Sequence, residues 1–200
     1  MAALAVLLLV VAAVEGGAAW SFWPPAAGDE PYCLSWRVMV EANNAKNWPT
    51  VPPPCVGYVW RYMAWGQYAR DVAGVADQIA AYAAQLAAGD DGLDAWVFDV
   101  DDTCLSNLFY YQAKQFGAFD PVAFKKWASK AICPGVPGMA QLSAEYRGMS
   151  AVVFKSAMRM QLMEEGYRIR GNVGDQWSDL QGDFVGDRVF KVPNPMYFVP

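Results

Sequence analysis

At 200 residues, 55% hydrophobic and 18% charged, the chain can bury one sizeable core with an appendage, and wholesale disorder is excluded. A formal net charge of −5 without any basic cluster excludes nucleic acid as an expected partner. Zero histidines exclude more. Ser-His-Asp and Cys-His nucleophilic systems, histidine phosphatases and most zinc sites need an imidazole, so carboxylate, lysine and hydroxyl chemistry remain, together with a hard cation held by oxygen.

Taken in chain order, residues 1–19 open with an apolar run from Leu4 to Val14 followed by Gly16-Gly17-Ala18-Ala19. That pattern predicts a secretory leader cleaved near Ala19. No later segment reads as membrane-spanning, because charge, Gly or Pro breaks each apolar stretch. Residues 20–31 form a Pro/Gly/Ala linker. The four cysteines, Cys33, Cys55, Cys104 and Cys133, fit an oxidising compartment. Three pairings are open; proximity along the chain favours Cys33–Cys55 and leaves Cys104 and Cys133. No asparagine lies in an Asn-x-Ser/Thr sequon.

A short element is expected within 33–42 and a proline-rich loop over 43–54. Residues 56–88 carry apolar residues at helical spacing, Val59, Met63, Gly66, Ala69, Ala73, Ala76, Ala80, Ala83 and Ala87, which predicts one long helix or two stopped by Gly89-Asp90-Asp91-Gly92. A buried strand over 95–100 follows. Residues 105–131 read as mostly helical with a turn near Gly117–Pro121, and 150–165 as an amphipathic helix. Two short strands close the chain, 168–173 and 188–192, the last ended by Pro193-Asn194-Pro195.

The strand at 95–100 runs Ala95-Trp96-Val97-Phe98 into Asp99-Val100-Asp101-Asp102-Thr103. An apolar β-prone run ending in acids delivers carboxylates to the carboxyl edge of a sheet, where open α/β sheets bind ligands. Asp99 and Asp101 are two apart, so extended backbone puts them on one side. Such a pair can divide nucleophile and proton-donor roles around a divalent cation. The strand at 168–173 ends in the same way, in Gly174-Asp175-Gln176-Trp177-Ser178-Asp179. Two strands delivering acids to one edge can enclose a cation of Mg²⁺ type. Lys155, near the start of the 150–165 helix, opposes the helix dipole there and calls for an anion such as phosphate.

These stretches resemble plant acid phosphatases of the vegetative-storage-protein type, in the haloacid-dehalogenase superfamily. The matching text is Ser35-Trp36-Arg37 with Glu41-Ala42-Asn43-Asn44, residues 94–111, Cys133-Pro134-Gly135, Glu145-Tyr146-Arg147-Gly148, Phe154-Lys155-Ser156, and 166–200 almost throughout. The resemblance implies a Rossmann-like parallel α/β sheet with a helical N-terminal part at 33–92 and a catalytic core at 93–200, together making a mature domain of 20–200. It implies Asp99 as phosphoryl-accepting nucleophile, Asp101 as acid/base, and Thr103 and Lys155 as phosphate-binding groups, with Lys155 also serving catalysis. Asp99, Asp101, Asp175 and Asp179 are implied as the Mg²⁺ site. The expected activity is acid hydrolysis of small phosphate monoesters in a secreted or vacuolar protein, with no membrane partner once the leader is removed and a homodimer allowed. Storage relatives that lost catalysis supply the alternative, a silent nutrient reserve.

One departure is large. The family's second motif, a Ser or Thr ending another strand, should fall between Cys133-Pro134-Gly135 and Glu145-Tyr146-Arg147-Gly148. Residues 136–144 hold no β-like run, and a strand–helix–strand unit needs roughly thirty residues. Ser143 lacks a preceding strand, so the role is not transferred to it. An internal deletion accounts for this and implies a truncated sheet. It would leave 95–100 as an open hydrophobic edge and remove a donor whose loss commonly costs roughly 10²–10³ in rate.

Overall fold

Cys33, Trp36 and Val40 fall on one face of a helix by their spacing, and α1 (Glu30–Glu41) turns all three inward. The computed structural model describes residues 30–129 and 150–200. The expected leader, most of the 20–31 linker, Cys133, Ser143 and the 136–144 interval lie outside the described residues. α1 itself corrects the expected short element at 33–42: it is three turns long and begins inside the segment read as linker. A proline-rich loop leads to a 3-10 turn, Pro53–Cys55, and Cys55 is disulfide-bonded to Cys33, the pairing that chain proximity favours. Cys104 is exposed and unbridged.

The predicted 56–88 helix is two helices, α2 (Val56–Ala64) and α3 (Gln67–Ala83). They part at Gly66, whose φ of +94° a glycine adopts without a Cβ clash. The inward face of α3 is not the alanine stripe. Ala69, Ala73, Ala76 and Ala80 are exposed, while Val72, Val75, Ile79 and Tyr82 pack against Trp96, Val173, Phe190 and Val192. Burial is worth about 25 cal/mol per Å² of apolar area, so the bulkier side chains win the inner face.

Three parallel strands, β1 (Asp94–Phe98), β2 (Arg168–Gly174) and β3 (Val189–Lys191), form a sheet in the order β1-β2-β3. Asp94 pairs with Arg168 and Phe98 with Val173, with a register shift between Ala95 and Trp96. A Cβ on Gly171 would lie 2.2 Å from the Trp96 ring, so only glycine admits the indole there. Among the described residues β1 has a single strand neighbour, and Phe98 and Val100 stand 48% and 44% exposed. The strand expected to be buried is therefore a half-buried edge.

The expected helical stretch at 105–131 resolves into α4 (Leu108–Ala113) and α5 (Pro121–Ala128). Between them Gln115 and Phe116 take positive φ, and Asp120 caps α5 by accepting from the N–H groups of Val122 and Ala123. α6 (Ala151–Glu164), capped by Ser150, lies on the sheet face opposite α3; Val97 of β1 and Phe154, Met158 and Leu162 of α6 line one small cavity there. α7 (Trp177–Leu180) follows β2. The N-terminal helices share their core with Tyr110, Tyr111, Phe116 and Met196, so they are packed against the segments leaving the carboxyl edge of the sheet.

Candidate active site

β1 and β2 run parallel, so both end at the same edge. Asp99 follows β1 directly, and its N–H still donates to Val173 O at 2.9 Å, which carries the sheet ladder to the base of its side chain. Gly174 ends β2 and places Asp175 beside it. A Cβ on Gly174 would fall 2.4 Å from Asp179 Cβ, so the glycine makes room for Asp179 to fold back over the strand end. Asp179 Oδ2 then accepts from the N–H of Gln176 at 2.8 Å.

The result is convergence. Asp99, Asp175 and Asp179 each offer a carboxylate oxygen, all within 4.8 Å of one another, and Asp175 and Asp179 are buried. Lys155, in the second turn of α6, donates to Asp99 Oδ1 at 2.7 Å and to Asp179 Oδ1 as well. Burial works against its ammonium, but the Asp179 and Asp99 charges outweigh that and raise its pKa. Burial also raises Asp175, with Asp179 and Asp99 adding repulsion, and it raises Asp179 against the opposing pull of Lys155. Three carboxylates facing one ammonium leave an excess of negative charge in a partly dry pocket. That donor set, all oxygen and anionic, fits a divalent cation.

Asp175 is held from several sides. Its Oδ2 accepts from Asn194 Nδ2 at 2.6 Å, Gln176 Nε2 at 2.9 Å and the Tyr197 hydroxyl at 3.3 Å, and its Oδ1 accepts from Thr103 Oγ1 at 3.3 Å. Thr103, read as phosphate-binding, thus spends its hydroxyl joining the two acidic loops.

Asp101 stands outside the carboxylate trio, which departs from its expected place among the metal ligands. The extended backbone that would align it with Asp99 stops at Phe98. Val100 O accepts from the N–H groups of Cys104 and Leu105, and Asp102 takes a φ of +58°. The Asp101 carboxylate instead accepts from Asn107 Nδ2 at 2.9 Å. It still lines the same cavity, of about 470 Å³, as Asp99, Lys155, Asp175 and Asp179. Aromatic side chains, Tyr111, Phe119, Phe124, Tyr197 and Phe198, form much of the rest of that wall.

Sequence reasoning missed three supports. Arg159 is buried, and its guanidinium donates to the carbonyl oxygens of Asp179 at 2.8 Å, Gln181 at 2.8 Å and Asp183 at 3.0 Å. It clamps α7 and the segment just after it to α6, and its place four residues after Lys155, on the same helix face, was the available signal. Asn194 lay in a segment read only as a stop, yet an amide at the end of β3 reaches the same edge as Asp175. Asn107, at the start of α4, carried no signal that spacing could show.

With this geometry in view, comparison with known proteins is specific. Residues 21–149 and 142–200 match the family described as HAD superfamily, subfamily IIIB (acid phosphatase). The chain is 36% identical to acid phosphatase 1 of Solanum lycopersicum over 216 residues, covering 86% of this chain and 85% of that protein. It is 34% identical to vegetative storage protein 1 of Arabidopsis thaliana, covering 85% and 80%. Against a stem 31 kDa glycoprotein of Glycine max the identity is 32%, covering 85% and 84%.

Proposed function

Since the chain belongs to subfamily IIIB of the HAD superfamily, the acid phosphatases, we propose that it hydrolyses small phosphate monoesters by way of an aspartyl phosphate on Asp99. The single observation carrying this is the bridge from Lys155 to both Asp99 and Asp179, three residues that line one cavity. An ammonium so placed offers positive charge where phosphoryl oxygens arrive.

Asp99 Oδ attacks phosphorus in line, the bond to the leaving oxygen breaks, and Asp101 gives that oxygen its proton. A water molecule then surrenders a proton to Asp101 and attacks the same phosphorus, which frees inorganic phosphate and restores Asp99. Asp99, Asp175 and Asp179 would hold a divalent cation, Mg²⁺ in this reading, and when bound it neutralises phosphoryl charge. Thr103 acts from behind by fixing Asp175.

The Cys33–Cys55 disulfide supports an oxidising destination, secreted or vacuolar, reached through the 1–19 leader. The net charge of −5 supports a substrate that is small rather than nucleic acid.

An internal deletion near 136–144 belongs to the same proposal. The family match falls in two pieces that meet at 142–149, and the tomato alignment runs over 216 residues while using 86% of a 200-residue chain. The half-bare β1 edge is what the absence of flanking strands would leave. These observations also favour a second reading, a folded protein without turnover that serves as a nitrogen reserve.

Phosphate release from 4-nitrophenyl phosphate at acid pH, with Mg²⁺ and with EDTA, separates the two. The phosphatase reading expects release that EDTA and Asp99→Asn abolish. Unchanged release in Asp99→Asn would refute the nucleophile, and no release from a cooperatively melting protein would establish the silent reading.

A further inference from the structure

Asn107 occupies the N-cap position of α4, yet its side chain makes no cap hydrogen bond. Asparagine is among the favoured residues there because its side-chain oxygen normally satisfies a free helix N–H. Here the amide is turned away from the helix and donates from Nδ2 to Asp101 Oδ1 at 2.9 Å. The residue that does this is buried, 4% exposed, and lines the cavity.

Its backbone is bolted at both ends. Its N–H donates to Asp102 Oδ1 at 2.7 Å, and its carbonyl accepts from the N–H groups of Tyr110 and Tyr111 at 3.0 and 3.2 Å. Asp102 is fixed in turn: its N–H reaches Leu105 O at 2.6 Å and its carbonyl accepts from the Tyr68 hydroxyl at 3.4 Å. Asp101, by contrast, is exposed at the head of a turn, bridged to Leu105. A carboxyl on such a turn samples several rotamers unless something holds it.

We propose that Asn107 is a positioning residue that orients the Asp101 carboxyl toward the oxygen of the leaving alcohol, with Asp102 bracing Asn107 from behind. The proposal rests on the phosphatase reading, in which Asp101 is the proton donor. With Oδ1 taken up by the amide N–H, Oδ2 is the oxygen left to serve the leaving alcohol. Orientation of this kind is worth most where the leaving group needs its proton most.

The test compares two substrates on the full chain with Mg²⁺. In Asn107→Ala, and in Asn107→Ser, which keeps a good cap residue but cannot reach Asp101, kcat/KM for an alkyl ester such as glycerol 2-phosphate falls about 10²-fold. For 4-nitrophenyl phosphate, whose leaving group departs without a proton, it falls less than about fivefold. An equal fall for both esters in a cooperatively melting variant overturns the proposal and leaves the phosphatase reading intact. If the unsubstituted chain hydrolyses neither ester, both fall together. A second arm needs no turnover. The Asn107 side-chain amide resonances shift in Asp101→Ala, and resonances that stay in place exclude the contact.

Discussion

Lys155 Nζ lies 2.7 Å from Asp99 Oδ1, although 56 residues separate them, and the same ammonium also meets Asp179 on a third element. One side chain therefore ties the end of β1, α6 and α7 into a single electrostatic unit, with Lys155 and Asp99 each less than a third exposed and Asp179 buried.

Replacing that cation with an apolar side chain of similar length exposes its role. Lys155→Met is expected to lower kcat by roughly 10²–10³, since a preorganised positive charge aimed at the phosphoryl group is lost. Lys155→Arg does not restore it, because a planar guanidinium cannot take the place of a compact ammonium between two carboxylates. Steady-state rates for the two variants check both statements.

The carboxylate trio predicts stabilisation by divalent cation. At a Mg²⁺ concentration about a hundredfold above its dissociation constant the folded state gains about 2.7 kcal/mol, a rise of roughly 5–10 °C in melting temperature for a chain of this size. EDTA reverses the rise and Asp179→Asn abolishes most of it. A thermal melt in which Mg²⁺ leaves the midpoint unmoved counts against the site.

Gly174→Ala would place a methyl group 2.4 Å from Asp179 Cβ and Oδ2. Strand end and Asp179 cannot both stay where they are. The expected cost is about 1–3 kcal/mol of stability together with weaker cation binding, because the displaced group is one of the three donors. Urea denaturation and a cation titration of the same variant measure the two effects separately.

Asp102 sets a pH dependence. Burial first, and the neighbouring Asp101 charge to a lesser degree, push its carboxyl up to about 6. Its Oδ2 is buried without a hydrogen bond, and the nearby Tyr197 hydroxyl is engaged by Asp175 at 3.3 Å. The folded protein thus holds this proton more tightly than the unfolded chain does. The stability that Asp102 contributes is greatest below the ordinary carboxylate range near 4 and declines as pH rises toward 6, by an amount on the order of 3 kcal/mol. Asp102→Asn, which keeps an acceptor for the Asn107 N–H, removes that decline. Its advantage over the unsubstituted chain, measured by urea denaturation in EDTA, is expected at pH 7 and absent at pH 4. Equal pH profiles would contradict the assignment.

How much of this was legible beforehand depended on chain distance. Apolar residues before Asp99 and before Asp175 marked both strands, and the acids at their ends marked the edge. Local rules failed where two signals competed. Alanines at helical spacing drew attention from Val72, Val75, Ile79 and Tyr82, which carry the area that packing rewards. The two-residue alternation that placed Asp101 beside Asp99 holds only in extended backbone, and the turn at Asp102 ends it.

The order of residues by itself determined the strands, the excess of acid at two strand ends and the absence of imidazole chemistry, because these follow from periodicities of two and 3.6 residues and from composition. Only the tertiary structure decided that Lys155 falls between Asp99 and Asp179, that Asn107 takes hold of Asp101, and that Asn194 and Thr103 close on Asp175. Those partners lie from 6 to 72 residues apart. A separation of that kind becomes a distance only when parallel pairing and the packing of helices on both faces of the sheet bring the chain segments to one edge.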